Sequence, residues 1–300
     1  MIDSLSLLER KNTGWDKRIR SFTASDLVDL YTITTEKFLI IFDTGNAPEQ
    51  MQDIMNAVEA DLKGRQLLVI NSHQHFDHVW GNALFTKKYP APIIGHQKSL
   101  ETATGPKAQN YLEMLQKSKP FLANVELIGP TLTFSDTLTL HGGDLTLFLF
   151  PTPGHSSDHI SVWIPEIKTI LAADTAEHPI PYATVDSKQL SVPYGVADGS
   201  VAQLEQDLHH LKSFKANILL PCHGGTLEPE LIDRNLHYFK TLRQKIAESS
   251  FDKHLKPEDV PGAIGWTFAD AMRDLGLDSN RFGDFYRGLH IQNIQGILNE

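Results

Sequence analysis

Between Asn71 and Asn82 the chain reads Asn-Ser-His-Gln-His-Phe-Asp-His-Val-Trp-Gly-Asn, which puts His73, His75, Asp77 and His78 within one short stretch. Imidazole and carboxylate together are a donor set for zinc, or for manganese and iron where oxygen donors dominate. The stretch follows Leu67-Leu68-Val69-Ile70, an apolar run that predicts a buried strand. Side chains of an extended segment alternate faces, so His73 and His75 point the same way and can grip one ion. Asp77 and His78 follow where the strand runs out, and the turn there can aim both at a second ion.

Residues of the same chemistry recur at the ends of later apolar runs. His155 in Thr152-Pro153-Gly154-His155 follows residues 145–150, and Asp174 follows Thr169-Ile170-Leu171. His223 in Pro221-Cys222-His223-Gly224-Gly225 follows Ile218-Leu219-Leu220, and Asp43 closes residues 38–41. Loops at strand ends can face one shared cleft, so the series carries more than any single member. Alone, Asp174 would read as a turn cap.

Taken together, these residues resemble the metallo-β-lactamase superfamily, whose pattern is H-x-H-x-D-H followed by a histidine, an aspartate and a last histidine. The resemblance implies an α/β fold, the αββα four-layer sandwich. It implies that His73, His75 and His155 hold one metal, that Asp77, His78 and His223 hold another, and that Asp174 bridges them. A bridging aspartate places the chain nearer the glyoxalase II and lactonase branches than the true β-lactamases, which lack it. The flavodiiron branch carries glutamate where His75 stands and adds a flavodoxin domain; neither is found here. The expectation is a dinuclear hydrolase with two divalent ions, zinc foremost and manganese or iron as alternatives. A hydroxide bridging them attacks the carbonyl of a small ester, thioester or lactone, with Asp77 orienting the nucleophile. Two rivals share the fold. One is a mononuclear iron dioxygenase of persulfides, needing only His73, His155 and Asp174; the other is a β-lactam hydrolase.

Around the ligands, Asp43 and His159 are expected to orient them. Phe76, Trp80, His178, Tyr182 and Tyr194 are candidate substrate contacts. A lactonase-like site would carry a tyrosine three residues past Asp174, where Glu177 stands. Cys222, adjacent to a ligand facing the cleft, should point the other way and pack as a small buried side chain.

Several elements must position these residues. The pattern predicts a hairpin over 27–34 and 38–42, a helix over 48–63 and another over 80–89. A strand follows at 92–95, then a helical stretch over 97–118 that breaks near Gly105-Pro106. Strands are expected at 125–128, 131–134, 137–140, 145–150, 160–164, 169–172 and 217–220, and helices at 200–214 and 228–249. Residues 1–20 read as irregular, with a short helix at most. The loop-rich run 174–199 is expected to line the cleft. The division expected is a catalytic domain over 1–228 and a helical extension over 229–300, whose aromatics and Arg273, Arg281 and Arg287 either pack on the sandwich or form a lid or dimer contact.

Composition sets outer bounds. Three hundred residues at 41% hydrophobic allow a sizeable core. A net charge of −10 with pI near 5.7 argues against a nucleic-acid grip, which needs a basic face. The single cysteine excludes an internal disulfide and fits a reducing compartment. With no leader-like start and no run long enough to span a membrane, the expectation is a soluble, cytoplasmic protein. Its partner would be a small-molecule substrate rather than nucleic acid or membrane, with a homodimer left open.

Overall fold

The computed structural model describes residues 4–185, 198–225, 228–250 and 255–300. Seven strands form the first sheet in chain order: β1 (Leu7–Glu9), β2 (Ile19–Ala24), β3 (Val28–Thr34), β4 (Phe38–Phe42), β5 (Gln66–Ile70), β6 (Ile93–His96) and β7 (Leu132–Phe134). Strands β1 to β4 pair antiparallel, and β4 to β7 pair parallel. Parallel neighbours need crossovers. These are α1 (Pro48–Ala57) with α2 (Glu59–Leu62), then α3 (Phe76–Val79) with α4 (Leu84–Lys87), then α5 (Gln97–Thr102) with α6 (Pro106–Ser118).

The second sheet runs β12-β11-β10-β9-β8, with β8 (Leu138–His141), β9 (Thr146–Pro151), β10 (Ile160–Ile164), β11 (Thr169–Ala173) and β12 (Ile218–Pro221). Alternation along its strands divides the interior. Leu147, Leu149, Val162 and Leu171 face the first sheet and share one cluster with Ile33, Ile40 and Val69. Phe150, Ile170, Ala172 and Leu219 face outward, against α7 (Val201–Ser213) and α8 (Glu230–Glu248). That outer cluster also takes in α9 (Val260–Ala263), α10 (Phe268–Asp274) and α11 (Asp284–Leu298). On the first sheet, α1 adds Met51, Ile54 and Met55 to the inner cluster. The result is the expected sandwich with helices outside and a helical C-terminal region.

Three expectations for local structure fail, each for a tertiary reason. Residues 1–20 contain β1 and the start of β2 rather than a helix. The charged Arg20 on β2 is accommodated because Glu9 and Asp61 meet it at 2.8 and 3.1 Å. Residues 125–128 form no strand. Side-chain amides replace a ladder there, with Gln116 donating to Val125 O (3.3 Å) and Asn82 to Ile128 O (2.8 Å). Residues 80–89 hold only the short α4, because Gly81 lies against the Thr44 backbone, where a Cβ would stand 2.1 Å from its carbonyl oxygen. The helix over 48–63 is present but breaks at Val58 into α1 and α2.

Candidate metal centre

The first group of donors is built locally. Strand β5 ends at Ile70, and the loop after it is tied at both ends by an amide pair, Asn82 Nδ2 donating to Asn71 Oδ1 at 2.8 Å. His75 is the extended residue before α3, whose first turn carries Asp77 and His78. His73 Nε2 then lies 2.8 Å from His75 Nδ1. Asp43, in the left-handed region at φ 63°, braces the loop from β4. Its carboxylate accepts from Ser72 N and Ser72 Oγ at 2.7 Å each, and from His78 Nδ1 at 2.8 Å. With the Nδ1 proton so engaged, His78 presents Nε2 to the cleft.

The second group is assembled from distant strand ends. His155 follows β9, and its Nδ1 donates to Tyr182 O at 2.9 Å. Gly154 is needed before it, since a Cβ there would sit 2.2 Å from Leu204 Cα on α7. Asp207 of α7 accepts from Gly154 N at 2.7 Å. Asp174 leaves β11 after an irregular register and an Ala173 with φ 44°, a local twist that re-aims the following side chain. His159 receives the Asp174 N–H on its Nε2 at 3.0 Å, while its Nδ1 meets Thr152 Oγ1 at 2.8 Å. His223 follows β12, and its Nδ1 donates to Leu27 O at 2.8 Å. Cys222 is buried and its thiol points back to Asp43 Oδ2 at 3.6 Å.

The two groups meet at one atom. Asp174 Oδ2 lies 3.6 and 3.5 Å from Nε2 of His73 and His155, and 3.4 Å from Nε2 of both His78 and His223. His155 Nε2 is also 3.1 Å from His75 Nδ1. Asp77 reaches His223 Nε2 at 3.5 Å and His78 Nε2 at 3.8 Å. Three sets have donor atoms within 4.8 Å of one another: His73, His75, His155 and Asp174; Asp77, His78 and His223; and, behind His78, Asp43, His78 and Cys222.

The donors fit divalent cations. Asp174 Oδ1 and His78 Nε2 are buried without a hydrogen-bond partner among the described residues, a state that buried polar atoms rarely hold unless an ion or water completes them. Burial first, and neighbouring imidazoles second, push His73 well below the ordinary histidine range; burial also lowers His75 and His155. These three offer neutral lone pairs. On the other side burial is outweighed by carboxylates. His78 is held well above its ordinary range by Asp174, Asp77 and Asp43, and His223 is pushed up to about 10. That half of the site attracts positive charge.

The remaining candidates are placed differently. Phe76 and Trp80 are buried with Tyr111 and Leu112, and line a narrow cavity with Gln74 and Thr102. The Tyr182 ring stands edge-on to His155 with centroids 4.7 Å apart. His178 turns to the C-terminal helices, its ring 5.6 Å from Phe282 and its carbonyl accepting from Tyr286 at 3.2 Å. Tyr194 lies outside the described residues. Two asparagines that sequence reasoning missed grip the loop after Asp174. Asn235 of α8 accepts from Glu177 N (3.1 Å) and donates to Glu177 O (2.8 Å); Asn293 of α11 donates to Pro181 O (2.9 Å) and accepts from Ala183 N (3.4 Å). Asn235 does carry a signal, lying three residues after Ile232 and four before Phe239 on the apolar face of its helix, where a polar side chain must find a buried partner.

Relatives agree with this architecture. A hydroxyacylglutathione hydrolase of Idiomarina loihiensis is 26% identical over 150 residues, 49% of this chain and 47% of that protein. One of Brucella anthropi is 29% identical over 122 residues, 40% of this chain and 38% of that protein. The chain thus matches less than half the length of these relatives. Among solved structures, a metallo-beta-lactamase from Pontibacter korlensis covers 77% of this chain and 98% of its own, with TM-score 0.55 and 17% identity. A stereoselective inverting sec-alkylsulfatase from Pseudomonas sp. covers 93% of this chain and 48% of its own, with TM-score 0.68 and 12% identity. The profile of the metallo-beta-lactamase superfamily matches residues 26–223, from β3 to the last histidine of the centre, and the chain belongs to that superfamily.

Proposed function

We propose that this protein is a metal-dependent hydrolase of a small ester, thioester or lactone, working with two divalent metal ions, zinc foremost. The observation that carries the reading is the position of Asp174 Oδ2, within 3.6 Å of an Nε2 atom from four histidines drawn from both groups. His73, His75 and His155 would hold one ion, Asp77, His78 and His223 the other, and Asp174 both. Ions held there lower the pKa of bound water toward neutrality and polarise a substrate carbonyl. The chain supplies orientation. Asp43, Tyr182 O and Leu27 O fix which nitrogen of His78, His155 and His223 faces the cleft. Asp77 accepts a hydrogen bond from the attacking water and sets its direction. We read the helices after residue 228 as an extension packed over the site, a reading supported by the Phe285 ring of α11 standing edge-on to Tyr182 with 6.5 Å between centroids. The names of the curated relatives support acyl transfer to water.

Metal quantification on protein purified without chelators tests this, followed by a panel of thioesters, lactones, esters and β-lactams. Two equivalents of metal and turnover of an acyl substrate are expected. One equivalent of iron with oxygen uptake on a persulfide would replace the reading by the dioxygenase, which has no use for the complete second group. Turnover confined to β-lactams would replace it by the lactamase.

A further inference from the structure

The narrow cavity against the donor loop contains none of the candidate metal donors. Gln74 and Phe76 alternate with His73, His75 and Asp77 along the chain, and with Trp80 they form its wall on the loop side. The end of α5, with Thr102 and Ala103, and the face of α6, with Ala108 and Tyr111, form the opposite wall. The rings of Phe76, Trp80 and Tyr111 stand 5.3 to 6.2 Å apart between centroids. One polar atom of this lining lacks a partner. Gln74 is 8% exposed, and its Nε2 is buried with no hydrogen bond among the described residues.

A buried donor left unmet is costly, so such an atom calls for an occupant beside it. The enclosed space is about 20 Å³, above the roughly 10–15 Å³ that one water needs. Thr102, Ala108 and Tyr111 are only half-buried, which sets the mouth on the α5–α6 side and lets a guest larger than water extend outward. Water itself is poorly served, since it binds with two to four polar partners and the lining holds a single buried polar atom without one. An ion is served worse, because no lining side chain is charged and its lost hydration would go uncompensated. What the lining matches is an acceptor atom on an apolar body, with aromatic faces for the body and an N–H for the acceptor. We propose that this cavity is a binding site for a small neutral carbonyl compound of the size of a short-chain ketone, whose oxygen accepts from Gln74 Nε2 while its alkyl part lies between the rings. The occupant would touch the donor loop without meeting a metal ligand, so the site stands whether or not the centre hydrolyses acyl substrates.

The experiment titrates the full chain with acetone, and with acetate as the charged probe of the same shape, while nuclear magnetic resonance follows the side-chain amide of Gln74. Gln74→Leu assigns that signal by removing it. In the wild type the amide should shift with acetone and saturate in the millimolar range, and acetate should leave it unmoved. Gln74→Leu keeps the volume but not the donor, and should weaken acetone binding about five-fold, read from the backbone amides of Phe76 and Ala103. Ala103→Leu fills the space from α5 and should abolish the saturable shift. Should that variant not fold, the loss in Gln74→Leu carries the test. A shift that grows linearly without saturating, acetate binding as tightly as acetone, or equal acetone affinity in wild type and Gln74→Leu would each overturn the assignment. A water-to-amide Overhauser contact at Gln74 that persists at the highest acetone concentration, without a saturable shift, would identify a structural water only and overturn it as well.

Discussion

The two halves of the candidate centre are made in opposite ways. His73, His75, Asp77 and His78 come from one loop and the first turn of α3, and their relative positions follow from an extended segment passing into a helix. His155, Asp174 and His223 come from three strand ends, and each is set by a contact from another part of the chain, namely Tyr182 O, His159 and Leu27 O. A local motif carries its geometry wherever the chain takes it. An assembled one exists only once both sheets and the outer helices have docked, and it is correspondingly sensitive to changes far from the donors.

The sharpest way to break this comparison is at the atom the halves share. If the centre holds two ions as proposed, Asp174→Ala should lower metal content by at least one equivalent and reduce kcat by about 10³-fold, several kcal/mol of lost charge stabilisation; elemental analysis and kinetics read both. Retention of two metals would show that the halves do not depend on Asp174.

Next in size is Gly154→Ala. The added methyl would collide with the α7 backbone at Leu204, so α7 or the His155 loop must move, with an expected loss of about 1–3 kcal/mol in denaturant unfolding and weakened metal binding in the folded protein.

Asn293→Ala and Asp43→Asn then set remote support against local support. Each should cost about 10- to 100-fold in metal affinity by competition with a chelator. On the two-ion reading, the loss in Asn293→Ala should fall on the ion that His155 would hold, and that in Asp43→Asn on the ion that His78 would hold. If Asn293→Ala loosens both ions equally, the two halves are not separately supported.

A pH-dependent effect falls on Asp158, three residues past His155. Burial pushes its carboxyl up to about 7, and Oδ2 has no hydrogen-bond partner among the described residues. A carboxyl raised by folding stabilises fully below its unfolded value, near 3.9, and loses that contribution as pH rises through about 7. Asp158→Asn should therefore match the wild type near pH 4 and exceed it at pH 8 by about 2–4 kcal/mol at most, read from thermal or urea unfolding. A variant less stable than wild type at pH 8 would show that the charge is compensated.

The sequence made much of this legible because the local half announces itself, and because each distant donor ends an apolar run that forms the strand expected of it, as at β9, β11 and β12. It hid what depends on partners. Strand β2 escaped notice because Arg20 looks wrong for a strand until Glu9 and Asp61 are in place. Residues 125–128 look like a strand, but their backbone is met by the side chains of Gln116 and Asn82 instead of by a neighbour.

By itself, then, the sequence determined the donor types, their order, and the strand ends that carry them, since hydrophobic periodicity and ligand chemistry are properties of neighbouring residues. Only the tertiary structure decided that Asp174 faces both groups, that each histidine turns a particular nitrogen inward, and that Asn235 and Asn293 hold the loop beside the centre. Those outcomes depend on hydrogen bonds between residues as much as 196 positions apart, as from His223 to Leu27. Such contacts leave no periodic trace in the chain, because neither partner is chosen by its neighbours in sequence.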